Sequence, residues 1–176
     1  MLALLGSDFM KALAAGLLAL CAAGGLFVHA QAQQAGKLFF EGDMVKGPQP
    51  GQAGPFCVLQ SQFFRKQQVA WRVRVLDADG KEIDDKGLKT LMVEISSGKT
   101  VELKFKPHPP PRQGPATDYF WSGSWVIPED QPTGSFTYKV IATDMAGKTQ
   151  TWEPFKIVAS QLTVVAGDAP MAPKAQ

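Results

Sequence analysis

Beyond residue 33, apolar side chains recur at every second position. No stretch there sustains the 3.6-residue period of an amphipathic helix. Val69, Trp71, Val73 and Val75 fall on one side of an extended chain, with Ala70, Arg72, Arg74 and Leu76 on the other. Leu91, Val93 and Ile95 repeat the pattern. So do Val101, Leu103 and Phe105 against Glu102, Lys104 and Lys106, and Phe136, Tyr138, Val140 and Ala142 against Thr137, Lys139 and Thr143. Such alternation marks strands with one dry face and one wet face. Gly-containing turns separate the runs at Asp77-Ala78-Asp79-Gly80, Ser96-Ser97-Gly98-Lys99 and Asp144-Met145-Ala146-Gly147, each placing Gly where the backbone needs positive φ. Strands are predicted near 37–45, 56–63, 69–76, 88–96, 100–106, 119–127, 135–143, 149–157 and 160–165. About seven to nine short strands with frequent turns predict an all-β, two-sheet antiparallel sandwich.

Two segments fit no strand. Residues 46–55 are rich in Pro and Gly and predict a loop. Residues 107–116 carry Pro107, Pro109, Pro110, Pro111 and Pro115. Proline fixes φ and lacks a donor, so this piece is expected to be extended and exposed. The tail, 167–176, has Met171 as its one large apolar residue and is expected to be disordered.

The run from Ile127-Pro128 through Gly134, the alternating Phe136-Thr137-Tyr138-Lys139-Val140 and Ala142-Thr143-Asp144-Met145-Ala146-Gly147 resembles immunoglobulin-like domains of secreted bacterial proteins. The resemblance covers about 40 residues with the strand after the turn and implies an Ig-like β-sandwich. It carries no activity with it, because this architecture hosts many roles. The paired cysteines of antibody domains are missing.

Residues 10–32 read as a secretory leader. Lys11 is its positive start, 12–28 its apolar run, and Ala30-Gln31-Ala32 its small-x-small cleavage site. Met10 is an alternative start to Met1. A retained anchor is the competing reading, but the apolar run of about 17 residues is at the lower limit for a span. Leu18-Ala19-Leu20-Cys21 resembles a lipoprotein signal, except that large Leu20 stands where a small residue belongs. Cleavage divides the chain into a signal peptide, 1–32, one Ig-like domain, 33–166, and the tail. The mature chain is expected in the periplasm or outside the cell, with no stable membrane insertion.

The same cleavage narrows the chemistry. Of two cysteines and two histidines, Cys21 and His29 lie in the leader, leaving Cys57 and His108. An intramolecular disulfide is then impossible. A hydrolase triad needs a positioned base, and His108 sits in the proline run. One His and one Cys are short of a zinc set. No haem-attachment or phosphate-loop motif occurs. Carboxylate pairs such as Asp84-Asp85 and Glu129-Asp130 lie in turns, not across a cleft. The chain is therefore expected not to be an enzyme and to need no cofactor. A net charge of +2 gives no footprint for nucleic acid.

Six residues are candidate contacts with a partner, a ligand or a metal. Tyr119 and Trp121 belong to an aromatic cluster with Phe120 and Trp125; exposed, they would form a platform for sugar rings or protein, and buried, they are core. Gly123 leaves a gap on their face where another chain could approach. Arg72 and Arg74 share a strand face that is either solvated or a patch for an acidic partner. His108 is either solvated or one contact of such a site. Cys57 is either a buried thiol or, with His108, a soft-metal ligand, or a thiol for an intermolecular bond. These residues predict a non-catalytic accessory domain docking onto another envelope protein. The alternatives are a module for glycan or soft metal, or a non-catalytic subunit of a periplasmic redox enzyme.

Overall fold

The computed structural model describes residues 36–48, 57–111 and 114–168. The predicted leader and nearly all of the tail lie outside them. Among the described residues the chain is all-β, with ten strands: β1 (Phe39–Lys46), β2 (Gln62–Arg65), β3 (Gln68–Leu76), β4 (Leu88–Ile95), β5 (Thr100–His108), β6 (Asp118–Val126), β7 (Gly134–Phe136), β8 (Tyr138–Asp144), β9 (Thr149–Trp152) and β10 (Leu162–Asp168). Seven form one antiparallel sheet in the order β1-β3-β6-β5-β4-β8-β9. The other three form a small sheet, β2-β10-β7, in which β10 runs parallel to β2.

The large sheet curls because β5 divides its pairing. Thr100–Leu103 bonds to β4, and Lys104–His108 bonds to β6. Gly123 on β6 makes that crossing possible. A Cβ there would stand 2.5 Å from the Glu102 carbonyl oxygen and 2.7 Å from Leu103 Cδ2. The gap expected at Gly123 is thus filled by β5 of the same chain. The curl brings facing strands together over one core: the Trp71 ring on β3 meets Tyr138 on β8 edge-on, with centroids 6.0 Å apart. Val69, Trp71, Val73, Val75, Leu91, Val93, Ile95 and Val140 are fully buried there, as the alternation predicts. Phe63 on β2 and Leu162 and Val164 on β10 join the same cluster.

The turns follow their sequence. Gly80, Gly98 and Gly147 have φ of 78°, 88° and 87°. Asp77-x-x-Gly80-Lys81 and Asp144-x-x-Gly147-Lys148 form the same turn twice, each Asp Oδ1 accepting from the backbone N–H two and four residues on.

Three predicted strands come out differently. The run 135–143 breaks at Thr137, where the chain passes from β7 in the small sheet to β8 in the large one. The run 149–157 stops at Trp152, because Pro154 cannot donate to a ladder. Of the run 56–63, the described part from Cys57 bonds along β1 with a bridge between Leu59 and Val45, and β2 begins at Gln62; Cys57 has a φ of 58°. The last strand continues to Asp168, two residues past the expected domain end.

Candidate functional site

The sequence-predicted site residues divide between the two faces of the sheet. Arg72 and Arg74 alternate outward from β3, opposite Asp43 and Glu41 on β1. Arg72 donates through Nε and Nη2 to the two oxygens of Asp43 at 2.8 and 2.6 Å. That hydrogen bond holds the guanidinium pKa above its ordinary value, against the opposing effect of burial. Arg74 is paired with Asp118. Both arginines are therefore held by carboxylates of the same chain.

His108 lies opposite Asp118 across the β5–β6 ladder. Its ring stacks flat on Phe120, with centroids 3.7 Å apart and planes 6° apart, and Nε2 stands 3.3 Å from Ser122 Oγ. Partial burial lowers the imidazole pKa; Asp118 opposes this, while Arg72 and Lys106 reinforce it. Glu82, close enough to feel Arg74, Asp118 and Glu41, has its carboxyl pushed up chiefly by desolvation. The face is thus an interlocked polar network around a shallow hollow of about 300 Å³.

Tyr119 and Trp121 point to the opposite, core-facing side. Trp121 is 3% exposed, and its indole N–H donates to the Ile83 carbonyl at 2.9 Å. It is a core residue and offers no platform. Tyr119 is half exposed at the end of the same row, stacked on Phe105.

Cys57 is exposed. Its N–H donates to the Lys46 carbonyl, at the end of the sheet where β1 and β6 flank Val69 through Lys46 and Trp125. His108 lies at the other end, beyond the level where Val73 meets Gly42 and Trp121. Arg72 stands between the two electrostatically: Cys57 acts on its guanidinium, and the guanidinium acts on His108. Among the described residues, no group of three or more His, Cys, Asp or Glu is arranged to hold a metal ion.

A different place gathers unsatisfied apolar surface: the seam where the curl brings β9 near the outer edge of β1. Side chains bridge it. Phe40 stacks on Trp152 with centroids 6.4 Å apart. Gly42 leaves room for that indole, since a Cβ there would stand 3.2–3.3 Å from its six-membered ring. The Gln150 amide accepts from Leu38 N–H and donates to the Gly36 carbonyl, both at 2.9 Å. Further along, the seam opens into a groove of about 580 Å³ lined by Gly42, Met44, Leu59, Tyr138, Trp152 and Phe155, among others. Phe155 is 80% exposed and Leu59 71%, and Ile157 and Val158 are exposed on the same β9–β10 connection. Single exposed apolar residues are ordinary; several around one groove mark an interaction surface.

Among the described residues, the charged groups lining the groove are Asp43 and Glu153, each ion-paired within the chain, to Arg72 and to Lys156. Burial pushes the Tyr138 phenol at its base up to about 12, with Asp43 adding to the effect. The strand predicted over 149–157 hides this site in the sequence. Pro154, followed by Phe155, was the available signal that the chain leaves the sheet there and carries an apolar side chain into solvent.

No known protein family and no curated protein sequence matches the chain.

Proposed function

We propose that the chain is a secreted, non-catalytic Ig-like domain that docks onto another protein of the bacterial envelope through the β1/β9 groove and its apolar rim. The observation that carries this reading is the exposure of Leu59 and Phe155 in the lining of one groove, with Ile157 and Val158 exposed on the connection that carries Phe155. Apolar side chains in such a cluster lower the free energy of the protein when a partner covers them.

The strand order supports the Ig-like part of the reading. Its half β1-β3-β6-β5 has the order of strands A, B, E and D of an immunoglobulin domain, and β4-β8-β9 the order of C, F and G. The resemblance at 127–147 falls on β7, β8 and the turn after them, the region of strand F. The leader at 10–32 supports export and so a partner in the periplasm or beyond.

Affinity capture from the native envelope fraction tests the proposal, with wild type beside the double variant Leu59→Ser/Phe155→Ser. Both side chains are exposed, so the variant is expected to keep its fold. A stoichiometric partner retained by wild type and lost by the variant is the expected result. Equal recovery by both proteins would reject docking through this groove.

A further inference from the structure

The floor of the groove presents a hydrogen-bond donor, while the carboxylates of its walls are already engaged. Tyr138 is 7% exposed and lines the groove at its base. The charge that acts on its phenol is Asp43, on the opposite wall, so the oxygen lies on the groove side of the ring. Burial keeps that phenol protonated, and among the described residues no hydrogen bond holds its hydroxyl. Beneath it, the Trp71 ring meets Tyr138 edge-on. The Trp71 indole N–H is fully buried and has no partner among the described residues. A buried donor left unpaired shows that the core around it has no acceptor to give. On the walls, both oxygens of Asp43 accept from Arg72, and Glu153 is paired with Lys156. With both carboxylates neutralised within the chain, the lining is complementary to an uncharged occupant. The broad surfaces that remain are aromatic, Trp152 and the outward Phe155.

We propose that the groove takes an uncharged, proline-rich segment of the partner polypeptide in the polyproline II conformation, one of its carbonyls accepting from the Tyr138 hydroxyl. This inference rests on the docking reading above and adds the chemistry of the bound segment. An ordinary peptide brings one N–H donor with every carbonyl, and each donor buried without an acceptor costs free energy. Proline has the carbonyl and lacks the N–H. A proline-rich segment therefore supplies the acceptor that Tyr138 needs and brings few donors to a floor that cannot satisfy them. Its apolar rings pack on Trp152 and Phe155. The polyproline II helix repeats every three residues, about 9 Å, so the two rings of Pro-x-x-Pro share one face. It is largely formed before binding, and little ordering entropy is lost when it docks. A Lys or Glu in the segment would have to break the Arg72–Asp43 or Lys156–Glu153 pair to find a partner.

The test uses the purified chain and two capped heptapeptides, APPAPPA and the proline-free AVTAVTA, with binding followed by NMR at the Trp152 indole N–H. Tyr138→Phe removes the hydroxyl alone, and Phe155→Ser removes an exposed ring. Urea unfolding checks that both variants keep the fold. APPAPPA should bind saturably and shift the Trp152 resonance, and AVTAVTA should bind at least tenfold more weakly. Tyr138→Phe should weaken APPAPPA binding about three- to tenfold, the worth of one hydrogen bond, and Phe155→Ser should weaken it as well. Absence of saturable binding up to millimolar peptide, equal binding of the two peptides, or unaltered affinity in both variants overturns proline recognition. If one of these results is found while Leu59→Ser/Phe155→Ser still loses its envelope partner, proline recognition falls and the docking reading stands. If that double variant keeps the partner, both fall.

Discussion

Gly123→Ala probes the crossing that curls the sheet. An ordinary contact for the new Cβ begins near 3.4 Å, yet the Glu102 carbonyl oxygen lies at 2.5 Å. The backbones of β5 and β6 must therefore separate by about 0.9 Å at this point. The obstacle is backbone, not the end of a flexible side chain, so no rotamer change relieves it. Forcing atoms into a packed site costs about 1–3 kcal/mol, and a backbone obstacle belongs at the upper end. The lower entropy of the unfolded Ala chain returns about 0.4–1 kcal/mol. The net loss is about 2 kcal/mol, or about 4–8 °C in Tm for a domain of this size. Gly98→Ala is the comparison. Nothing stands within 4 Å of its Cβ, but its φ is +88°, so it costs about 1 kcal/mol of left-handed strain. Urea unfolding of the three proteins, with unchanged m-values, measures both losses. A Gly123→Ala protein within about 0.5 kcal/mol of wild type, or more stable than Gly98→Ala, would refute the crossing.

The repeated turn gives a second comparison: Asp144 is buried whereas Asp77 is half-buried in the same hydrogen-bond pattern. Asp144→Ala is expected to cost about 2–3 kcal/mol and Asp77→Ala about 1 kcal/mol or less by urea unfolding. Tyr138 gives an alkaline signature. Its folded pKa of about 12 exceeds the ordinary 10.0, so the unfolded chain releases the proton first. Stability then falls by about 1.4 kcal/mol per pH unit between 10 and 12, and this part of the slope is absent in Tyr138→Phe. His108 gives an acid signature of the opposite sense. Its pKa is lowered on folding, so the unfolded chain takes up the proton first, and stability falls as the pH drops below the ordinary histidine value. His108→Gln should flatten that limb in chemical unfolding between pH 7 and 5.

Much of the fold was legible because its signals are local. Alternation along β3, β4 and β8 puts Trp71, Leu91 and Val140 in the core, and the Asp-x-x-Gly turns close as their residues require. The break at Thr137 was not legible. Phe136, Tyr138 and Val140 keep their period of two across it, and the change of sheet is set by distant partners, Leu162 for Phe136 and Ile95 for Tyr138. The same limit governs the site. Single-strand patterning put Arg72 and Arg74 on an outward face, but not the carboxylates of β1 and β6 that hold them. It put Tyr119 and Trp121 on one face, but not Ile83 beneath the Trp121 indole. The seam brings β1 to β9, separated by most of the chain, so its groove has no local signature beyond Pro154-Phe155.

Site-specific photo-cross-linking in the native envelope tests the docking claim most directly. A photoreactive phenylalanine analogue is placed at Leu59 or Phe155 beside the groove, and at Val126 or Met145, which are exposed apolar positions outside the groove lining. The account predicts one discrete cross-linked species from positions 59 and 155 and none from 126 and 145. Cross-links from the two control positions alone, or equal labelling from all four, would contradict it.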